Sequence, residues 1–78
     1  MKYVSSLSYI DICKLFHHKK IHFISDCDFF PDFNIECLVL DIFFNQNHSE
    51  ILIKVKILKN NKILTIGSNM KNLQYELL

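Results

Sequence analysis

Cys13 and His17 lie four residues apart, and His18, His22, Cys27 and the Asp26/Asp28 pair follow within a dozen positions. On a helix, residues four apart share a face, so Cys13 and His17 could supply one pair of ligands to a tetrahedral metal. His22 and Cys27 would make a poorly spaced second pair, and the chain has neither C-x-x-C nor H-x-x-x-H. The metal candidates are therefore Cys13, His17, His22 and Cys27, set against the plainer reading of a core cysteine with surface histidines, which is preferred. Asp26, Asp28 and Asp32 could hold calcium, but the segment lacks the glycine and terminal bidentate glutamate of an EF-hand loop. No cofactor is expected.

Nucleophilic catalysis is not supported either. With Gly67 as the sole glycine, the chain has no nucleophile elbow and no glycine-rich phosphate cradle. The D-x-D of Asp26 and Asp28 is short and common by chance. The protein is expected not to be an enzyme.

The stretch "DCDFFPDF", residues 26–33, sets three carboxylates and three phenylalanines around the one proline. Three aromatic rings in five residues exceed what a turn needs. One reading has Phe29 or Phe33 folding back to plug the core. The other leaves Phe29, Phe30 and Phe33 accessible, ringed by Asp26, Asp28 and Asp32, which would select a basic protein partner; aromatic anchors with a charged rim are what binding hot spots use. A second candidate surface is the lysine set Lys54, Lys56, Lys59 and Lys62, which could follow a phosphate backbone. The near-zero net charge and the absence of arginine disfavour nucleic acid.

These candidates must be held by a small framework. Seventy-eight residues make a single domain, residues 1–78, half apolar by count. A domain of this size buries only about 60% of its unfolded surface, so its stability is marginal without help. Three cysteines and no secretory signal argue for reduced thiols and a cytoplasmic location. No window approaches the roughly 18 apolar residues of a membrane span. Lysine without arginine, with abundant Ile, Phe and Asn, suggests an AT-rich genome such as that of a phage or mobile element. Charge is segregated: residues 1–25 carry a net +3, residues 26–50 a net −6, and residues 51–78 a net +4.

Ser8 with Asp11 three residues on resembles a capping box, and Tyr9, Ile12, Cys13 and Phe16 recur at helical spacing, so residues 8–20 predict a helix. Strands are expected over residues 21–25, 34–45, 50–59 and 72–78. In the second of these, Ile35, Cys37, Val39, Asp41 and Phe43 would share one face and Glu36, Leu38, Leu40, Ile42 and Phe44 the other. Both faces are largely apolar, as in a central strand. A two-residue Asn60–Asn61 turn would place Lys59 opposite Lys62, Ile57 opposite Leu64 and Val55 opposite Ile66.

The expected architecture is α+β: one N-terminal helix packed on a four- to five-stranded, mostly antiparallel meander sheet. One helix covers one face. The other keeps Leu52, Leu58 and Ile63, and covering it by a second copy or by a partner resolves the cost. The expected function is a small non-catalytic protein-binding protein, an inhibitor or adaptor of anti-defence, immunity or antitoxin type, and the uncovered face leads us to expect a homodimer. A nucleic-acid accessory protein and a zinc-stabilised domain are the alternatives.

Overall fold

The structure is a computed structural model that describes residues 1–26 and 33–78. It is an α+β arrangement of one α-helix and a six-stranded antiparallel sheet. Along the chain come β1 (Lys2–Tyr3), a 3-10 turn at Val4–Ser6, α1 (Tyr9–Phe16), β2 (Lys20–Ser25), β3 (Phe33–Asn45), β4 (Glu50–Ile57), β5 (Ile63–Gly67) and β6 (Gln74–Leu77). Across the sheet the order is β1-β6-β2-β3-β4-β5. β2 to β5 form the expected meander. β6 then returns to pair with β2, and β1, too short to signal itself in sequence, adds a sixth strand beyond it.

The helix begins where its cap predicts. Asp11 N–H donates to Ser8 Oγ at 3.2 Å and Ser8 N–H donates to Asp11 Oδ2 at 3.4 Å, so two otherwise unpaired donors are satisfied. It ends at Phe16, not at Lys20 as the sequence suggested. His18 adopts a left-handed φ of 60°, and its N–H donates to Val39 O, while Lys19 O accepts from Val39 N–H. Strand pairing to β3 takes Lys19 and Lys20 away from the helix, and Lys20 opens β2.

One face of the sheet is the core. Ile12 and Phe16 of α1 pack onto Ile21 and Phe23 of β2, Cys37, Val39 and Ile42 of β3, Ile53 and Val55 of β4, Ile66 of β5 and Tyr75 of β6. Phe16 lies edge-on to Phe23 at 5.5 Å and to Tyr75 at 4.9 Å between ring centroids. The segment after β5 crosses this face to reach β6. Lys71 O accepts from Asp26 N–H and Ser25 Oγ, Leu73 O accepts from Val4 N–H, and Leu73 is buried.

Two expected registers are corrected. In β3, Val39 pairs with Val55 but Asp41 pairs with Lys54, so a β-bulge at Leu40 reverses the faces beyond it. Ile42 therefore joins Cys37 and Val39 on the core face, while Asp41 and Phe43 join Leu38 on the other. In the β4–β5 hairpin, Val55 pairs with Leu64 and Ile53 with Ile66. The loop holds four residues, Leu58–Asn61, instead of two. Asn61 N–H donates to Ile57 O, Ile57 N–H donates to Lys62 O, and Lys62 N–H donates to Asn60 Oδ1. Only Asn61 takes a left-handed φ. The shift is by two residues, so every core side chain kept its expected face.

Candidate functional site

The face of the sheet away from α1 is the candidate site. Strand alternation puts His22 and Ile24 of β2 there, with Asn34, Glu36 and Leu38 of β3. After the bulge Asp41 and Phe43 follow, and β4 contributes Leu52, Lys54 and Lys56. Cross-strand register sets these side chains in rows: Glu76–His22–Glu36, then Lys20–Leu38–Lys56–Ile63, then Asp41–Lys54–Thr65, then Phe43–Leu52–Gly67. Phe43, Leu58 and Ile63 are 41, 39 and 57% exposed, and Leu38, Leu40 and Leu52 are half-buried. No described element lies over them. The face is thus apolar ground with an acidic row toward the Asn34 end and lysines across its middle.

His22 fastens the acidic row. Its Nδ1–H donates to Glu76 Oε1 at 3.1 Å and its Nε2–H to Asn34 Oδ1 at 2.5 Å, joining β6, β2 and β3. With acceptors at both ring nitrogens the imidazolium is favoured. The hydrogen bond to Asn34, then that to Glu76, raises its pKa above the ordinary 6.5, against a smaller opposing effect of burial. Beside it, an open cleft of about 820 Å³ runs between Asn34, Glu36, Leu58, Lys59 and Asn60.

Of the acidic aromatic stretch, Cys27, Asp28, Phe29, Phe30, Pro31 and Asp32 lie outside the described residues. Its two ends are fixed. Asp26 is exposed and accepts from Asn72 Nδ2 at 3.2 Å. Phe33 begins β3 and packs, partly buried, against the core, which suits a plug more than a free anchor.

The metal candidates are not brought together. Cys13 is partly buried on α1 against the core, His17 caps the end of that helix, and His22 stands on the opposite side of the sheet. Cys27 is outside the described residues. Among the described residues no three His, Cys, Asp or Glu side chains group as metal ligands. Of the lysines, Lys54 and Lys56 share the outer face, whereas Lys59 lies in the β4–β5 loop and Lys62 just beyond it. Asp41 opposes Lys54 in register, and Leu38 and Ile63 flank Lys56, so the lysines do not form an uninterrupted basic stripe.

The sequence reading missed Phe43 as an outer-face residue and missed the His22–Asn34–Glu76 link. A signal for the first was present: Asp41 fell in an otherwise apolar core row, and a charge there marks a break in alternation. None existed for the second. No helix is long and apolar enough to cross a membrane. No protein family, curated protein or solved structure matches the chain.

Proposed function

We propose that the chain is a non-catalytic protein that binds a protein target, as a stoichiometric inhibitor or adaptor in the cytoplasm, through the outer face of its sheet. The observation that carries this is Phe43 and Leu58, 41 and 39% exposed, beside half-buried Leu38, Leu40 and Leu52 on one uncovered face. Apolar area costs about 25 cal/mol per Å² in water, and here the apolar side chains lie on either side of Asp41, Lys54 and Lys56, a pattern that a partner of matching apolar and charged groups would cover. The matching target surface is apolar, with acidic groups to meet Lys54 and Lys56. Asp26, exposed at the end of β2, and Glu36 and Glu76 on the outer face add acidic groups that a basic part of the same target would meet.

The test is capture of a partner on the immobilised chain, identification by mass spectrometry, and titration of the purified pair against Leu52→Glu and Phe43→Ser. A one-to-one complex with the wild type, lost with either substitution while circular dichroism is unchanged, supports the reading. Equal binding by both variants overturns it. Binding of DNA or RNA that falls steeply with salt and is abolished by Lys54→Glu with Lys56→Glu would replace it with the nucleic-acid reading.

A further inference from the structure

We infer that two copies of this chain join through their β5 edges, Ile63–Gly67 pairing antiparallel with Ile63–Gly67 of the second copy about a two-fold axis at Thr65. This is a different surface from the centre of the outer face and does not depend on target binding.

Hydrogen-bond parity carries the argument. Ile57 N–H donates to Lys62 O at 2.8 Å, and Ser68 N–H donates to Ile51 O at 2.8 Å, at the two ends of the β4–β5 pair. Antiparallel strands alternate bonded and non-bonded pairs. Between those ends Val55/Leu64 and Ile53/Ile66 are therefore the bonded pairs, and Leu64 and Ile66 direct their backbone groups to β4. Ile63, Thr65 and Gly67 direct theirs away from it, and no described strand lies beyond β5. The Gly67 carbonyl accepts from Met70 N–H at 3.1 Å. The N–H and C=O of Thr65, the N–H and C=O of Ile63 and the N–H of Gly67 form the open edge.

Such an edge is a template for another strand, and proteins usually blunt it with lysine, proline, a bulge or a covering element. Ile63–Gly67 contains none of these, and Ile63 at its start is 57% exposed. The opposite edge ends in β1, which is only two residues long.

The strand is also complementary to itself. A register centred on Thr65 is the one that pairs all five residues. Thr65 meets Thr65 as a bonded pair, its two N–H groups donating to the two carbonyls across the axis. Each Gly67 N–H donates to Ile63 O of the other copy. Leu64 meets Ile66 on the core side, extending each apolar layer into the next, and a Thr–Thr and two apolar pairs are favourable cross-strand neighbours. Lys62 faces Ser68, so no like charges are opposed. A two-fold interface requires this kind of self-match, because the same patch serves both partners.

The experiment is native mass spectrometry and sedimentation of the full chain, with amide hydrogen exchange. The expected result is a doubled mass and slow exchange at Thr65 and Gly67, whose amides would face solvent in a monomer. Thr65→Pro removes the central donor, which makes no bond to β4 and so is tolerated in an isolated edge strand. Ile63→Lys adds the missing edge charge. Each should weaken self-association by at least about tenfold, with circular dichroism unchanged. A monomeric wild type, a dimer whose Thr65 amide exchanges freely, or Ile63→Lys that dimerises like the wild type would overturn the proposal. Leu52→Glu should leave the dimer intact, which separates this result from that of target binding.

Discussion

His22 Nδ1–H donates to Glu76 Oε1 at 3.1 Å, between residues 54 positions apart that are register partners in β2 and β6. The bond ties the returning strand to the meander, and its proton makes stability depend on pH. The folded pKa lies above 6.5, chiefly through Asn34 and next through Glu76. A raised histidine pKa adds stability that is fully present below pH 6.5 and is lost as pH rises through the folded value. Glu76 is half exposed, so solvent screens its share. The denaturation midpoint should thus carry a component that falls as pH rises above 6.5, and His22→Gln should remove that component while leaving the rest of the profile. An unchanged profile in the variant would show that His22 titrates no differently folded than unfolded.

The capping box gives a second prediction. Ser8→Ala removes the acceptor for Asp11 N–H at a helix of only eight residues, whose end carries the core residue Phe16. The loss should be about 1 kcal/mol. In a domain of this size that lowers Tm by roughly 4–8 °C. Ser8→Asp, which can still accept, should retain most of the stability; thermal denaturation followed by circular dichroism distinguishes the two.

That helix start was legible because its grammar is local: Ser8 and Asp11 are three residues apart and need nothing else. The core faces of β4 and β5 were legible for a related reason, since alternation survives a register error of two. What failed were features set by tertiary context. Lys19 and Lys20 favour a helix end until β3 claims their backbone. The bulge at Leu40 moved Phe43 out and Ile42 in, although alternation through residues 35–44 showed no interruption except Asp41. The apolar outer face was foreseen from Leu52, Leu58 and Ile63. Its acidic row was not, because His22, Asn34 and Glu76 meet only once β6 has crossed the core to lie beside β2.

Cys37 offers a chemical readout of the same core. It is fully buried, its Sγ–H donates to Ile21 O at 3.5 Å, and burial pushes its pKa up to about 12. The thiolate is the reactive form, so alkylation of Cys37 should be negligible in the native state from pH 7 to pH 9 and should appear only with unfolding. Labelling followed by peptide mass spectrometry across a urea titration should give the same midpoint as circular dichroism. Rapid native labelling of Cys37 would mean that the β2–β3 pair opens without global unfolding.

The two faces of the sheet should respond oppositely to loss of a phenylalanine. Phe16 is wholly buried, with its ring edge-on to both Phe23 and Tyr75, so Phe16→Ala removes the side chain that joins α1 to β2 and β6. The expected cost is about 3–5 kcal/mol, from lost transfer energy and the cavity left behind. Set against a total of about 5–15 kcal/mol for a globular domain, and the low end for one so small, much of the variant should be unfolded at room temperature. Phe43 stands 41% exposed on the outer face, where its loss opens no cavity. Phe43→Ser should change stability by no more than about 0.5 kcal/mol. The bulge decides which outcome belongs to Phe43: with uninterrupted alternation from Val39 it would sit in the core, and its loss would cost as much as that of Phe16. Urea denaturation of the two variants side by side therefore tests the register of β3 directly. A Phe43 variant as unstable as the Phe16 variant would return Phe43 to the core face and remove it from the proposed binding surface.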